Sequence, residues 1–225
     1  MTTTKLAVMP SPKVNDGNIE AYFSDGELIH FSKDEIIING TNEPDGVYLI
    51  KEGFVKAYTI TKAGQENLLL IHDTSEFIPL IWALDGVHTE GVFYEAMSDV
   101  TVLRTSKDKL RTNMESNMWL CQEILKQSVN IITAYSRRIQ TLEFRTARER
   151  LISELLSLAE LFGESRGNEI LINAPITHQD IADSINMTRE TASRALELLF
   201  EEGLIKQVDH LFTVRRMTKL EEASG

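Results

Sequence analysis

The sequence predicts an α+β chain made of an antiparallel β-domain, a long helix, and a mixed domain of short helices and strands. Three observations indicate this order. Residues 20–107 contain short β-type runs separated by Gly-containing turns. Residues 108–142 contain no proline or glycine, and their apolar side chains recur every three or four positions. Residues 143–225 hold short amphipathic runs with capping residues, followed by a hairpin. Residues 1–19 are a separate N-terminal segment.

The composition predicts a folded cytoplasmic protein with no membrane partner. Hydrophobic residues make up 42% of the 225 residues, and the single cysteine excludes an internal disulfide. No apolar run approaches the roughly 18 residues that a membrane span needs. The N-terminus lacks the apolar core of a secretory signal. The net charge of −11 disfavours non-specific binding to nucleic acid, so any such binding needs a local basic strip and would depend steeply on salt.

The β-domain is predicted from seven runs rich in β-branched and aromatic residues. They are GELIHF, EIIIN, GVYLIKEG, VKAYTIT, ENLLLIHD, GVFYEAM and VTVLRT. The corners between them carry Asp25-Gly26, Asn39-Gly40, Asp45-Gly46, Gly53, Gly64 and Asp85-Gly86. Many short strands with Gly-marked corners are typical of an antiparallel sandwich or a barrel-like roll.

The long helix carries a seam of side chains spaced alternately four and three residues apart. The seam is Met114, Met118, Cys121, Leu125, Ser128, Ile132, Tyr135, Ile139 and Leu142. A heptad pattern of this length favours pairing with a second copy, hence a homodimer. The polar Ser128 weakens the seam and helps to fix its register, whereas Ile124 and Ile131 flank it and are expected to pack on the β-domain. The alternative is a long helix buried within its own chain.

Residues 176–205 predict two short helices joined by a tight turn at Asn186-Met187. Thr177 and Thr188 stand where an N-cap hydroxyl is needed. The apolar positions of the two helices are Ile176, Ile181, Ala182, Ile185, Ala192, Ala195, Leu196 and Leu199.

The second helix is predicted to carry Glu190, Ser193, Arg194 and Glu197 on one outer face, with Arg189 beside them. Such a face fits the major groove of DNA, where Arg bridges guanine O6 and N7 and Glu accepts from cytosine N4. The alternative is an amphipathic hairpin whose charged face is only solvated.

Further DNA contacts are expected on both sides of this helix. Thr177 and His178 begin the first helix and are placed at the DNA backbone, although Thr177 could act as a cap alone. Thr188 opens the second helix. The terminal hairpin turns at Val208-Asp209-His210, and its Arg215-Arg216 pair adds basic charge.

Three motifs of this chain resemble a known family. T-H-Q-D-I-A-D, T-R-E-T-A-S-R and L-L-F-E-E-G-L-I resemble the helix-turn-helix signature of the cyclic AMP receptor protein and fumarate-nitrate reductase regulator superfamily of bacterial transcription factors. The stretch D-G-V-Y-L-I-K-E-G-F-V-K-A-Y looks like the centre of that superfamily's cyclic-nucleotide-type β-roll. The resemblance covers about residues 20–217.

The resemblance implies a β-roll sensor over 20–107, a dimerisation helix over 108–142 and a winged helix-turn-helix over 143–225, with a hinge around Leu142-Glu143-Phe144. It further implies a homodimer on a pseudo-palindromic promoter site that activates transcription with RNA polymerase.

The resemblance also implies a base code. Glu190, Ser193 and Arg194 match the family's base-contacting positions in the pattern E-x-x-S-R, closest to the branch whose half-sites have a TTGA core. Arg189 instead matches the cyclic AMP receptor branch, where it holds phosphate or an outer guanine. We expect an inverted repeat with TGA/TCA cores, with Arg194 on the guanine and Glu190 on its paired cytosine.

No cofactor or metal is expected in the sensor. The family's nucleotide pocket uses an acidic residue and an Arg-Ser pair, but this chain aligns Leu80 and Glu90-Gly91 there, so a carboxylate replaces the phosphate clamp. One cysteine cannot hold an iron–sulfur cluster. Haem has His30, His72, His88 and Cys121 as formal ligands, yet a lone strand histidine is more often an ordinary core or surface residue.

Two alternatives stay open for the sensor. One is an apolar organic effector in a pocket lined by Phe77, Leu80, Trp82, Glu90, Phe93, Tyr94 and Tyr135. The other is no effector at all. Cys121 is either a redox group across the seam or, as a heptad residue, a small buried hydrophobe.

Two other classes of function fit the sequence less well. A β-roll regulatory protein that acts through protein partners would not need residues 176–216. An enzyme is not expected, because the sequence shows no Ser-His-Asp arrangement, metal-ligand spacing or phosphate-binding glycine loop.

Overall fold

The computed structural model describes residues 25–85, 91–141 and 146–215, together with Ile19 and Phe23. The predicted hinge at 142–144, and Glu90, His88 and Arg216, lie outside these residues. No helix among them is long and apolar enough to cross a membrane.

The N-terminal domain is a roll of two antiparallel four-stranded sheets. All seven predicted runs form strands. The elements are β1 (Glu27–Phe31), β2 (Ile36–Ile38), β3 (Val47–Glu52), β4 (Val55–Ile60), β5 (Glu66–His72), β6 (Phe77–Ile78), α1 (Leu80–Asp85), β7 (Val92–Ala96) and β8 (Val100–Thr105). The strand order is β1-β8-β3-β6 in the first sheet and β2-β7-β4-β5 in the second sheet. Strand β6 and helix α1 were not predicted.

The β3–β4 hairpin shows why its corner is a glycine. Gly53 has a φ of +91°, and a Cβ there would lie 2.3 Å from the carbonyl oxygen of Asp99. Both the left-handed backbone and the close approach exclude a larger residue.

The prediction of one continuous helix over 108–142 is wrong. The chain forms α2 (Lys107–Ser116) and α3 (Met118–Thr141), separated by Asn117 in an extended conformation with φ −139°. The Asn117 side chain accepts a hydrogen bond from the Leu120 backbone N–H at 3.1 Å, so it caps a new helix. Met114 therefore lies on α2, outside the seam of α3.

Helix α3 is fastened to the roll by both apolar and polar contacts. Leu120 and Ile124 are buried in the core beneath the first sheet, and Ile131 packs against it, as predicted for the two isoleucines. The buried Gln127 amide donates to the Phe77 carbonyl at 2.8 Å and accepts from the Phe77 N–H at 3.0 Å. This pair satisfies backbone groups that the two-residue β6 leaves unpaired on that side.

Over the described residues 146–215, the C-terminal domain consists of three helices and one four-stranded sheet. Its elements are α4 (Ala147–Phe162), β9 (Gly163–Arg166), β10 (Glu169–Ile172), α5 (His178–Ser184), α6 (Arg189–Glu201), β11 (Ile205–Val208) and β12 (Leu211–Arg215). The sheet has the strand order β11-β12-β10-β9. Helix α4 starts with a capping box between Thr146 and Glu149 and ends at Phe162, with Gly163 as its C-cap.

The C-terminal domain rests on the roll. Phe54, Ile71 and Met97 of the roll pack into the core of the C-terminal domain, and the Phe54 and Phe162 rings meet edge to face at 5.9 Å. The two domains therefore share one continuous apolar contact.

Candidate nucleic-acid interface and sensor cavity

The two helices of the predicted motif are capped as the sequence indicates. The Thr177 hydroxyl accepts from the Asp180 N–H at 3.1 Å and donates to the Asp180 carboxylate at 2.6 Å. Asn186 takes the left-handed conformation, φ +52°, in the turn. Thr188 accepts from the Thr191 N–H at 3.3 Å and caps α6. Because the Thr177 hydroxyl both accepts from and donates to Asp180, Thr177 acts as the N-cap of α5.

Helix α6 has one fully buried face and one polar outer face. Its buried side chains are Ala192, Ala195, Leu196 and Leu199, as predicted. The outer side chains are Arg189, Glu190, Thr191, Arg194 and Glu197, all exposed, with Ser193 partly buried at their edge. A helix held by its inner side and free on its outer side can enter a groove without unfolding any of its own contacts.

Charge on the outer face is fixed by local contacts. The pKa of Glu190 is lowered by its own backbone N–H and the Thr188 hydroxyl, with Arg189 and Arg194 adding to the effect. Glu190 is therefore ionised at neutral pH and is a hydrogen-bond acceptor only.

His178 lies behind this face rather than at its edge. Its Nδ1 is 3.2 Å from the Ser193 hydroxyl, and its ring stacks on Phe212 with centroids 5.7 Å apart. Burial lowers the pKa of His178, and the nearby Arg189 lowers it further. The imidazole is consequently neutral at pH 7.

The hairpin β11–β12 forms the predicted wing. Asp209 and His210, both with positive φ, make its two-residue turn. Arg215 lies 3.9 Å from the Glu169 carboxylate, and Lys206 lies 2.6 Å from it. The charge of Arg215 is thus partly offset within the domain.

Helix α3 exposes an apolar stripe to solvent. The exposed fractions are 75% for Met118, 63% for Leu125, 64% for Ile132 and 67% for Ile139. Val129, which lies outside the heptad seam, is 51% exposed. Side chains of this size and exposure on one helix face mark a surface for a partner.

The remaining seam residues are turned more toward the subunit. The Cys121 thiol is partly buried and donates to the Met114 carbonyl at 3.1 Å, which fits a small packed residue. The Ser128 hydroxyl bonds back to the Ile124 carbonyl at 2.9 Å. Tyr135, predicted in both the seam and the pocket, lines the cavity described next.

A small cavity of about 40 Å³ lies between the second sheet, α1 and α3. Four residues assigned to an effector pocket from the sequence are among its lining residues: Leu80, Trp82, Tyr94 and Tyr135. The other lining residues are Ile38, Pro44, Ala57, Leu70, His72, Pro79, Ile81, Val92 and Ile131. The volume holds roughly three water molecules and is far below the several hundred Å³ of a typical small-molecule site.

Two residues assigned to this pocket do not line it. The Phe77 ring packs edge to face on Phe23 at 5.5 Å, in the core beneath the first sheet. The Phe93 ring stacks on Tyr58 at 5.5 Å, on the opposite face of the sheet from Tyr94. Neighbouring residues of a strand point to opposite faces, so Phe93 and Tyr94 could not both face the cavity.

Among the described lining residues, polar side-chain atoms come from His72, from the phenols of Tyr94 and Tyr135, and from the Trp82 indole, which donates to Glu43 at 3.4 Å. His72 is 3% exposed, and its Nδ1 lies 2.6 Å from the Glu76 carboxylate. Its Nε2 is buried and has no hydrogen-bond partner among the described residues. Burial raises the pKa of both Tyr94 and Tyr135, so both phenols stay protonated. The sequence marked His72 only as a formal haem ligand and did not place it at this cavity, because its burial depends on packing between separate elements.

Sequence comparison decides the family. A cyclic nucleotide-binding domain profile matches residues 28–117, and a Crp-like helix-turn-helix domain profile matches residues 149–223. The chain belongs to the CRP/FNR family, that is, the superfamily of the cyclic AMP receptor protein (CRP) and the fumarate-nitrate reductase regulator (FNR). This CRP/FNR protein is a DNA-binding transcription regulator, and its family is one of dimeric regulators rather than enzymes. The predicted fold class and family are confirmed, and the helix-turn-helix match argues against a β-roll protein without DNA contact.

Similar proteins extend over most of the chain. The Global nitrogen regulator of Nostoc sp. is 27% identical over 192 residues, which are 84% of this chain and 86% of that protein. The Anaerobic regulatory protein of Aggregatibacter actinomycetemcomitans is 24% identical over 193 residues, 86% of this chain and 74% of that protein. A CooA mutant from Carboxydothermus hydrogenoformans shares the fold, with a TM-score of 0.76, 22% identity, and coverage of 91% and 90% of the two chains.

Proposed function

We propose that two copies of this CRP/FNR regulator pair along α3 and place one α6 each in successive major grooves of an inverted repeat. The outer face of α6 carries the proposal, because Glu190 and Arg194 are exposed there while the opposite face is fully buried. The apolar stripe of α3 supports the pairing.

Different side chains of α6 contact different groups of each half-site. Arg194 bridges O6 and N7 of a guanine, and the ionised Glu190 accepts from N4 of the paired cytosine. Ser193 reads a neighbouring base edge, and Arg189 contacts phosphate or an outer guanine. With the pattern E-x-x-S-R, the site is an inverted repeat of TTGA-type half-sites with TGA/TCA cores.

Phosphate contacts come from the edges of the same surface. Arg189 and Thr188 lie at the start of α6, and Arg215 lies on the wing. The rest of the chain is acidic, with a net charge of −11. A small basic strip on an acidic protein makes affinity moderate and strongly dependent on salt.

The β-roll, we propose, no longer binds cyclic nucleotides. Leu80, where the family's ribose-binding carboxylate would stand, is 4% exposed and packed in a core. The cavity beside it admits only water-sized groups in this conformation. A small apolar molecule with one hydrogen-bonding group suits the His72 Nε2, provided that the lining side chains move apart. The other candidate, a regulator controlled by its abundance alone, needs no such movement.

The regulator acts in the cytoplasm and activates transcription through RNA polymerase. These two assignments rest on membership of the CRP/FNR family, whose members are DNA-binding transcription regulators.

Fluorescence anisotropy with labelled duplexes tests the DNA-binding proposal. The chain should bind an inverted TTGA repeat much more tightly than a scrambled duplex of equal length and composition. Addition of cyclic AMP or cyclic GMP should leave both affinities unchanged. Equal affinity for both duplexes over a range of salt concentrations would contradict the proposal.

A further inference from the structure

Besides Thr191, whose hydroxyl lies 3.0 Å from that of Thr188, helix α6 carries the hydroxyl of Ser193. A serine hydroxyl has one hydrogen to donate and two lone pairs, and it rotates freely. In the major groove it can bond to either donors or acceptors on base edges. Left alone, Ser193 would therefore discriminate poorly between base pairs.

The structure gives this hydroxyl a partner inside the protein. His178 Nδ1 lies 3.2 Å from the Ser193 oxygen, across the junction between the two helices of the motif. We propose that His178 is a positioning residue that orients the Ser193 hydroxyl and so sets the base preference at the position that Ser193 reads. This inference rests on the proposed role of Ser193 in base reading.

The imidazole is held firmly enough to act as a guide. Its ring stacks on Phe212, which is 1% exposed and itself stacks on Phe200 at 6.4 Å. His178 is also the first residue of α5, directly after the Thr177 capping box. Stacking fixes the plane of the ring, and the cap fixes the backbone that carries it.

Burial and the charge of Arg189 keep the ring neutral, although the charge of Glu197 acts in the opposite direction. Arg189 and Glu197 of α6 face it, and burial together with Arg189 lowers the pKa of His178. A neutral imidazole has one donor nitrogen and one acceptor nitrogen.

Either tautomer gives Ser193 a defined outward polarity. If Nδ1 accepts the hydroxyl hydrogen, only lone pairs face the groove, which favours the amino groups of cytosine or adenine. If Nδ1 donates, the hydroxyl hydrogen faces the groove, which favours thymine O4 or guanine O6 and N7. In both cases one class of base edge is preferred.

A double-mutant cycle tests the proposal on inverted-repeat duplexes that differ at one symmetric base pair at a time. Ser193→Ala identifies the base pair whose discrimination depends on Ser193. His178→Phe keeps a ring over Phe212 but removes the nitrogen. We expect it to reduce discrimination at that same base pair by about twofold to tenfold, the range of one hydrogen bond. Discrimination at the base pair that depends on Arg194 should not change.

Three comparisons make the test specific. In the Ser193→Ala background, His178→Phe should cause no further loss of discrimination. His178→Asn, which keeps an amide near the Nδ1 position, should restore part of it. His30→Phe is the matched control, because His30 Nδ1 lies 3.0 Å from the Thr101 hydroxyl in the β-roll. That variant should leave DNA discrimination unchanged. Thermal unfolding of each variant shows that it is folded.

The outcomes separate this inference from the proposed function. If His178→Phe weakens all duplexes equally, or adds independently to Ser193→Ala, His178 does not position Ser193. If Ser193→Ala changes discrimination at no base pair, the positioning role also fails while reading by Arg194 stands. If the parent chain discriminates among none of the duplexes, the proposed function itself fails.

Discussion

Replacing Ile132 on the apolar stripe of α3 should weaken the dimer. Ile132 is 64% exposed in the single chain, and full burial of an isoleucine is worth about 1.5–3 kcal/mol. Covering that exposed fraction contributes about 1–2 kcal/mol per subunit. In a two-fold symmetric interface the contribution occurs twice, so Ile132→Ala should cost about 2–4 kcal/mol per dimer. This corresponds to about a 30-fold to 1000-fold increase in the dimer dissociation constant.

Sedimentation equilibrium over a range of concentrations measures that constant directly. Leu161→Ala is the matched control, since Leu161 is a helical apolar residue of 50% exposure that lies on α4 rather than on α3. Circular dichroism confirms that both variants are folded. If the dimers of Ile132→Ala and Leu161→Ala have the same dissociation constant, the apolar stripe on α3 is not the dimer interface.

Three further variants test other parts of the structure. Arg194→Ala should cost about 1–3 kcal/mol in DNA binding and relax the preference for one guanine, measured by competition among duplexes; a uniform loss would instead identify a phosphate contact. Thr177→Ala should lower stability by about 1 kcal/mol in denaturant unfolding, whereas Thr177→Ser should retain it; equal stabilities would contradict the cap role. Burial raises the pKa of Glu154, so its contribution to stability is present at low pH and is lost as pH rises through the folded pKa. The Tm of Glu154→Gln relative to the parent should therefore increase between pH 5 and pH 8, and a difference independent of pH would refute this.

The parts of the fold that the sequence predicted are those with local signals. Strand runs between Gly corners and the Thr177 and Thr188 caps depend on neighbours within a few residues, so they could be read without knowledge of packing. The outer face of α6 followed from helical spacing alone.

The parts that were missed depend on competition between local signals or on contacts distant in sequence. The heptad pattern continues across Asn117, yet the Asn117 side chain caps a new helix and interrupts the old one. Strand β6 is too short for any period, and its place is set by Gln127, 50 residues later. The assignment of Phe93 to the cavity is wrong because Phe93 is one residue from Tyr94 in the same strand. A shift of one residue along a strand moves a side chain to the opposite face of the sheet. The His178–Ser193 pair depends on the crossing of two helices, which spacing does not specify.

A spacing experiment tests most directly whether twinned α6 helices read one inverted repeat. The affinity of the chain is compared for the intact repeat and for the same duplex with five base pairs inserted between the half-sites. Five base pairs are about half a helical turn and carry one half-site to the opposite side of the duplex. Binding by two symmetry-related α6 helices predicts that affinity falls to that of a duplex with a single half-site. An unchanged affinity would contradict it.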